Sequence, residues 1–377
     1  MERLGVQQLK RDTFFGALDY YLLVPVLSIS LIGLFVLNQV LSEGFKDYPI
    51  NFYKQAGAVI FGIFLALFIC LIEVPTLRLV GYAVYGVGLV LLVYVLVDGY
   101  SEVARWGADS WIQLPVIGTF QPSELIKIGL SMTSAVVFES LDNRQLKWWQ
   151  GGGLLLLLYA PPLLLIMKQP DLGTSMVIVF MFVCMLFVWG LRWRYILIGL
   201  SGAVITVPLI WMFYLEPFQK NRILTFLYPG HDPAASYNLL QSRLAIASGG
   251  LTGSSLPDPI HVPVKEADFI FTAVSEHMGF VGTTALIILI FFFLGRCLYV
   301  SSRIRERQPA ASYTIVGLTA ALAFHFIENL GMCVGLLPIT GIPLPFVSLG
   351  GTAMVVNFFA LGVIMSISME RNVAGVD

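Results

Sequence analysis

Ten stretches of this chain are apolar over close to the length that carries a helix through a bilayer, and that leaves few folds open to it. Crossing a hydrocarbon core about 30 Å thick takes roughly 20 apolar residues. Runs of this kind lie at Tyr21–Val40, Ala56–Ile72, Leu79–Val97, Leu125–Leu141, Leu154–Met167, Val177–Leu191, Tyr195–Leu215, Phe269–Leu298, Tyr313–Leu337 and Met354–Ile367. Backbone polar groups in lipid must be bonded within their own segment, so the runs are expected as helices. With 57% hydrophobic and only 12% charged residues, a water-soluble fold is excluded. The chain reads as an all-α integral membrane protein: one polytopic domain over residues 1–377, about ten transmembrane helices, and a large extracytoplasmic loop, 216–268, between the seventh and eighth. Two runs keep a re-entrant alternative, because Leu154–Met167 is short and carries Pro161 and Pro162, while Leu125–Leu141 contains Lys127 and Glu139.

The first 19 residues hold Arg3, Lys10 and Arg11 but no short apolar core ending in a small-residue cleavage site, so no removable signal peptide is expected. With the N-terminus inside, inner segments collect Arg3, Lys10, Arg11, Arg78, Arg144, Lys147, Arg192, Arg194, Arg296, Arg303, Arg305, Arg307 and Arg371, 13 of the 22 basic residues. Both termini are therefore expected in the cytoplasm. Cys70, Cys184, Cys297 and Cys333 fall irregularly inside apolar runs, which suggests neither a disulfide framework nor a zinc site.

The chemistry should then lie in the outer segments. Trp106 to Lys127 is too polar and too rich in Gly and Pro to cross, and from Gln121 it reads as a helix start in which Glu124 and Lys127 share a face and can pair. They are either a structural ion pair or a ligand contact through Lys127. In Lys168-Gln-Pro-Asp-Leu-Gly-Thr174, Asp171 is placed to cap the next helix. The long segment that follows carries Phe218-Gln-Lys-Asn-Arg-Ile223, a helix-like stretch Tyr237–Ser248 with Gln241, Ser242 and Arg243, and a cluster at Gly249, Gly250 and Gly253. The glycines fit either close backbone approach to an anion or a simple turn. Asp268 closes this segment directly before an apolar helix; a carboxylate there costs free energy and points to a function. Gly341-Ile-Pro-Leu-Pro-Phe-Val-Ser-Leu-Gly-Gly351 breaks the last apolar stretch as a half-inserted loop lining a cavity would.

Taken together, Trp111 with Gln121-Pro-Ser-Glu-Leu-Ile-Lys127, Gln169-Pro-Asp-Leu-Gly-Thr174, Gln241-Ser-Arg-Leu-Ala-Ile-Ala-Ser-Gly-Gly-Leu251, Asp268-Phe-Ile-Phe271 and Pro343-Leu-Pro-Phe-Val-Ser-Leu-Gly-Gly351 resemble the SEDS family (shape, elongation, division and sporulation) over nearly the whole chain. Trp111-Ile-Gln-Leu-Pro-Val-Ile-Gly118 is most similar to its RodA branch. The resemblance implies a peptidoglycan glycosyltransferase of the bacterial cytoplasmic membrane that polymerises lipid II during elongation, together with a class B penicillin-binding protein. It also implies that Asp268 is the catalytic aspartate. Glu124 and Lys127 match a functional Glu and Lys, Arg222 a family arginine, and Ser348 the late loop.

Glycosyl transfer from a pyrophosphate-linked sugar needs a base at the acceptor hydroxyl and positive charge at the departing pyrophosphate. Asp268 is the expected base. Lys127, Lys168, Arg222, Arg243 and Lys265 are the expected cations, and Gln241, Ser242 and Ser348 complete the expected substrate-binding set. No cofactor is expected, although Asp268, Glu124 and Asp171 leave a divalent cation open. Around Asp268 the chain departs from the family pattern: where the family often has Pro-Glu followed shortly by His-Thr-Asp-Phe, Pro263 is followed by Val264, Lys265, Glu266 and Ala267; His277 follows Glu276 where a second Glu is common, and Gly253 to Pro263 is short and lacks the common Gly-Thr-Gln. Two other functions stay open, a flippase for the lipid precursor, suggested by Glu276, His277, His325 and Glu328, and a non-catalytic activator of the penicillin-binding protein.

Overall fold

The computed structural model describes residues 14–42, 49–98, 110–114, 118–191, 193–228 and 233–373. A short α1 (Phe14–Ala17) precedes three long helices, α2 (Tyr20–Ser42), α3 (Ile50–Ile69) and α4 (Val74–Asp98). A two-stranded hairpin, β1 (Ile112–Leu114) with β2 (Gly118–Phe120), pairs Ile112 with Phe120 in antiparallel register and is the one departure from an all-helical fold among the described residues. Then follow α5 (Pro122–Asp142), α6 (Trp148–Lys168), α7 (Leu172–Trp189) and α8 (Trp193–Phe213). The remaining helices are α9 (Pro217–Leu227), α10 (Pro233–Ser248), α11 (Ile270–Ile304), α12 (Pro309–Val334) and α13 (Gly351–Val373).

Among the described residues eight helices are long and apolar enough to cross a membrane: α2, α3, α4, α6, α7, α11, α12 and α13. The other two expected spans, α5 and α8, are each continuous over 21 residues, roughly 31 Å at about 1.5 Å per residue. The re-entrant alternative is not seen in either run: α6 runs unbroken through Pro161 and Pro162, and α5 through Lys127 and Glu139. The segment 216–268 is not an open loop either, since α9 and α10 occupy much of it.

Burial sorts the spans. In α12, 83% of the apolar window is buried inside the protein, and in α13 72%, against 22% in α4. Helix α12 therefore forms the hub, packed on α5, α7 and α11, while α13 lies along α3. Small residues bring backbones together, as expected where lipid supplies no hydrophobic drive. A Cβ at Gly129 of α5 would stand 2.5 Å from the Tyr85 nitrogen of α4, and one at Gly362 of α13 would stand 2.8 Å from Ala66 Cα of α3.

Hydrogen bonds tie the connections into two groups, as alternating crossings require. One end joins Thr352 Oγ1 to the Thr119 carbonyl, Gln121 to Asp171, Gln219 to the Pro170 carbonyl, and Ser348 to the Ala267 carbonyl. The other joins Arg78 to Glu139, Arg296 to Asp19, Gln308 to Glu370, and Arg305 through Tyr313 to Asp142.

Candidate active site

Asp268 sits at the end of a tight turn. Val264, in the left-handed region at φ 57, accepts from the Ala267 and Phe269 amides through its carbonyl, at 3.1 and 3.3 Å. A β-branched residue held there stores roughly 1–2 kcal/mol of strain. The N-cap of α11 is Phe269 and no side chain caps it, so Asp268 does not serve as the helix cap. Its main-chain carbonyl accepts from Asn329 Nδ2 at 2.8 Å, whereas its carboxylate accepts no hydrogen bond among the described residues. Burial pushes this carboxyl up to about 6, the positive charge of Arg222 pulls it down, and the negative charge of Glu266 pushes it up. Glu266 is itself raised by burial, and its Oε2 is buried without a hydrogen-bond partner.

Arg222 reaches this carboxylate's neighbourhood from α9. That helix is started by Pro217 and by Gln219 Oε1 accepting from the Glu216 amide at 3.0 Å, and Gln219 Nε2 docks it on the Pro170 carbonyl at 2.8 Å. Arg222 Nη1 donates to the Thr340 carbonyl at 3.1 Å, and its charge is felt by both Asp268 and Asp171. Thr340 Oγ1 in turn donates to Glu328 at 2.9 Å. Asp171 caps α7 through the Thr174 amide at 2.9 Å and also accepts from Gln121 Nε2 at 2.8 Å. The Gln121 segment, the 168–174 turn, α9, the Asp268 turn and the 340–350 loop are thus tied to one another.

Lys127 is not a free cation. It donates to Glu124 Oε1 at 2.7 Å and contacts His325 Nε2 at 2.7 Å, and both members of the ion pair are buried. Replacing Lys127 by Met is expected to lower stability by about 3–5 kcal/mol, because Glu124 is left as an unpaired buried charge. The Glu124→Gln/Lys127→Met double variant should recover most of that loss in a detergent melting curve.

Several other expected site residues are held by neighbours. Lys265 is buried in an ion pair with Glu276. Arg243 is exposed and donates to the Val334 and Gly335 carbonyls at the end of α12, at 3.1 and 3.4 Å. Ser242 is buried between α11 and α12, against Thr272 Oγ1 at 2.6 Å and the Cys333 carbonyl at 2.8 Å. Gly249, Gly250 and Gly253 form no open anion nest. They pack on a break in α11 at Gly279 (φ 61), where the Phe280 and Val281 amides donate to the Gly250 and Leu251 carbonyls at 2.9 and 3.0 Å. Lys168 is exposed and Gln241 half-buried, and neither makes an ion pair or hydrogen bond among the described residues. Ser348 is buried and bonds protein on both sides, accepting from the Leu344 amide and donating to the Ala267 carbonyl. Among the described residues no group of three His, Cys, Asp or Glu side chains is placed to hold a metal ion.

Two residues that sequence reasoning passed over belong to the site. Asn329 of α12 donates to the Ile342 carbonyl as well as to that of Asp268, both at 2.8 Å, and Gln55 of α3 grips the late loop at Ser348 and Gly350. For Asn329 the signal was available, since a carboxamide inside an apolar run is costly unless it bonds something; Gln55 stands beside Lys54, just ahead of the run Ala56–Ile72, and gave no such signal.

A family model described as a cell cycle protein, FTSW_RODA_SPOVE, matches residues 18–373. The chain is 30% identical over 330 residues to the peptidoglycan glycosyltransferase MrdB of Escherichia coli K12, covering 84% of this chain and 85% of that protein. It is 31% identical over 366 residues to stage V sporulation protein E of Bacillus subtilis, covering 93% and 96%. Among solved structures, the Rod shape determining protein RodA of Thermus thermophilus is similar at a TM-score of 0.69 and 27% identity, covering 94% of this chain and 97% of that one. A chain of a peptidoglycan synthase complex that coordinates polymerisation and crosslinking reaches a TM-score of 0.78 at 29% identity, covering 94% and 98%.

Proposed function

The chain belongs to the FtsW/RodA/SpoVE (SEDS) family and is a peptidoglycan glycosyltransferase; from that premise we propose that it polymerises lipid II on the outer side of the bacterial cytoplasmic membrane, with Asp268 as general base. The observation that carries the proposal is a carboxylate with no hydrogen bond of its own among the described residues, raised by burial to about 6 and under the positive charge of Arg222. A general base works best with a pKa near the working pH and with its lone pairs available. Asp268 takes the proton of the acceptor sugar hydroxyl as that oxygen attacks the donor's anomeric carbon. The bond from that carbon to the lipid pyrophosphate breaks, and Arg222 stabilises the charge gathering on the leaving group. The scheme uses no cofactor; loss of polymerisation in a chelator and its return with Mg²⁺ would add one.

Both termini lie in the cytoplasm in this reading, which the distribution of basic residues favours, and a class B penicillin-binding protein is the proposed partner that cross-links the product. Three of the four residues that suggested the flippase alternative are engaged by neighbours. Glu276 is paired with Lys265, His325 is against Lys127, and Glu328 is bonded by Thr340, so these groups act as internal ties. Purified protein given labelled lipid II, alone and with the partner, tests the proposal. Glycan strands support it; lipid translocation without polymer, or stimulated cross-linking alone, would replace it.

The rate should fall as pH drops through about 6, because only ionised Asp268 accepts the proton. Glu266→Gln removes a neighbouring negative charge and should move that acid limb to lower pH, whereas Arg222→Gln should move it higher. Initial rates against pH for the three proteins check both signs.

A further inference from the structure

We propose that Gln55, on a helix that contributes no other residue to the site, is a positioning residue that sets the placement of Asp268 through the late loop. This rests on the reading of Asp268 as the base. Gln55 is only 1% exposed and lies in the second turn of α3, directly ahead of its apolar stretch 56–69. Both ends of its amide are used: Nε2 donates to the Ser348 carbonyl at 2.9 Å, and Oε1 accepts from the Gly350 amide at 3.0 Å. Those two main-chain groups flank Leu349, whose own amide donates to the Glu266 carbonyl at 2.9 Å. Ser348 Oγ donates to the Ala267 carbonyl at 2.7 Å and accepts from the Leu344 amide at 2.8 Å. Residues 344–350 and the two residues before Asp268 are therefore bonded as one unit, and Gln55 fastens that unit to α3.

The far end of the same loop is held by Asn329, which bonds the Ile342 and Asp268 carbonyls together. Gly341 lies against the carboxylate, where a Cβ would stand 3.3 Å from Asp268 Oδ2. The loop thus forms part of the wall around the half-buried carboxylate, and burial is the largest influence raising Asp268. A loop released at Ser348 and Gly350 admits water to that wall and loosens the turn at Glu266 and Ala267. Two consequences follow: the base is held less well against the acceptor, and its pKa moves down toward that of an ordinary carboxylate.

The test uses the full chain in lipid vesicles with lipid II and measures kcat and KM across the acid limb, with melting as a check on folding. Gln55→Leu, which strands the Ser348 carbonyl and the Gly350 amide, should lower kcat about ten- to a hundredfold. KM should change by less than about twofold and the acid limb should shift to lower pH. Gln55→Glu retains the acceptor and, when protonated, the donor as well, so it should recover part of kcat. Unchanged kcat and acid limb in Gln55→Leu, with only a lower melting temperature, would show that Gln55 merely packs α3 against the loop and would overturn the proposal. If Gln55→Leu fails to fold, Gln55→Asn, one methylene too short to make both bonds, carries the test: a wild-type kcat and pH profile overturns the proposal, and the loss described above supports it. An inactive Asp268→Asn beside an unaffected Gln55→Leu rejects Gln55 alone, whereas an active Asp268→Asn rejects the base reading beneath it.

Discussion

Asp268→Asn should leave a folded, membrane-inserted protein whose lipid II polymerisation falls by about a hundred- to ten-thousandfold, the range lost when a positioned general base is removed. The substitution keeps the shape of the side chain and leaves the main-chain bond from Asn329 untouched, so little of the effect should come from structure. Stability should move the other way. Asp268 is raised to about 6 in the fold against about 3.9 for an unperturbed aspartate, so its favourable contribution is complete below about 4 and is lost as pH rises through about 6. At neutral pH the folded protein carries a half-buried charge that it would be more stable without, and the Asn variant should melt no lower than the parent. Melting curves at neutral and acidic pH, beside gel-resolved glycan products, check both halves. Full polymerisation by the variant would remove Asp268 from the chemistry, and a collapsed melting curve would return it to a structural role.

The second large effect is expected at Gly249, far from any proton transfer. An added Cβ would stand 1.9 Å from the Ser275 carbonyl oxygen, a main-chain atom in the first part of α11 that cannot swing aside. Gly249→Ala must therefore push α10 away from the helix break at Gly279, breaking the bonds that the Phe280 and Val281 amides make to the Gly250 and Leu251 carbonyls. A loss of roughly 3 kcal/mol or more is expected from the overpacking and the unpaired amides together, seen as poor membrane accumulation and a lowered melting temperature. Gly250→Ala is the control. Its Cβ meets nothing within 4 Å, and only its left-handed φ of 53 is strained, which costs about 1–2 kcal/mol. A stable Gly249→Ala protein with weakened lipid II binding would instead revive the anion-cradle reading of these glycines.

How far the molecule could be read without its fold differs from residue to residue. The spans were legible because length and apolarity are local properties that the bilayer tests one segment at a time. Asp171 as a cap and Glu124 with Lys127 as a pair were legible because their partners lie within one helical turn. The cation cluster was not. Lys127, Arg243 and Lys265 look alike as charges in a sequence, yet His325 and Glu124, the carbonyls of α12, and Glu276 claim them, leaving Arg222 as the cation whose field reaches Asp268. Gln55 and Asn329 are single polar residues whose purpose is invisible until the late loop lies between them.

The sequence alone determined that this chain is a bundle of membrane helices, that its polar motifs gather between particular helices, and that Asp268 stands at the start of one of them. Only the tertiary structure decided that Asp268 caps nothing, that one arginine faces it, and that segments from α3, α9, α12 and the 340–350 loop meet around it. The reason is physical: hydrophobic length acts on each segment separately, whereas the charge state and freedom of a buried side chain depend on which distant groups packing brings within a few ångströms of it.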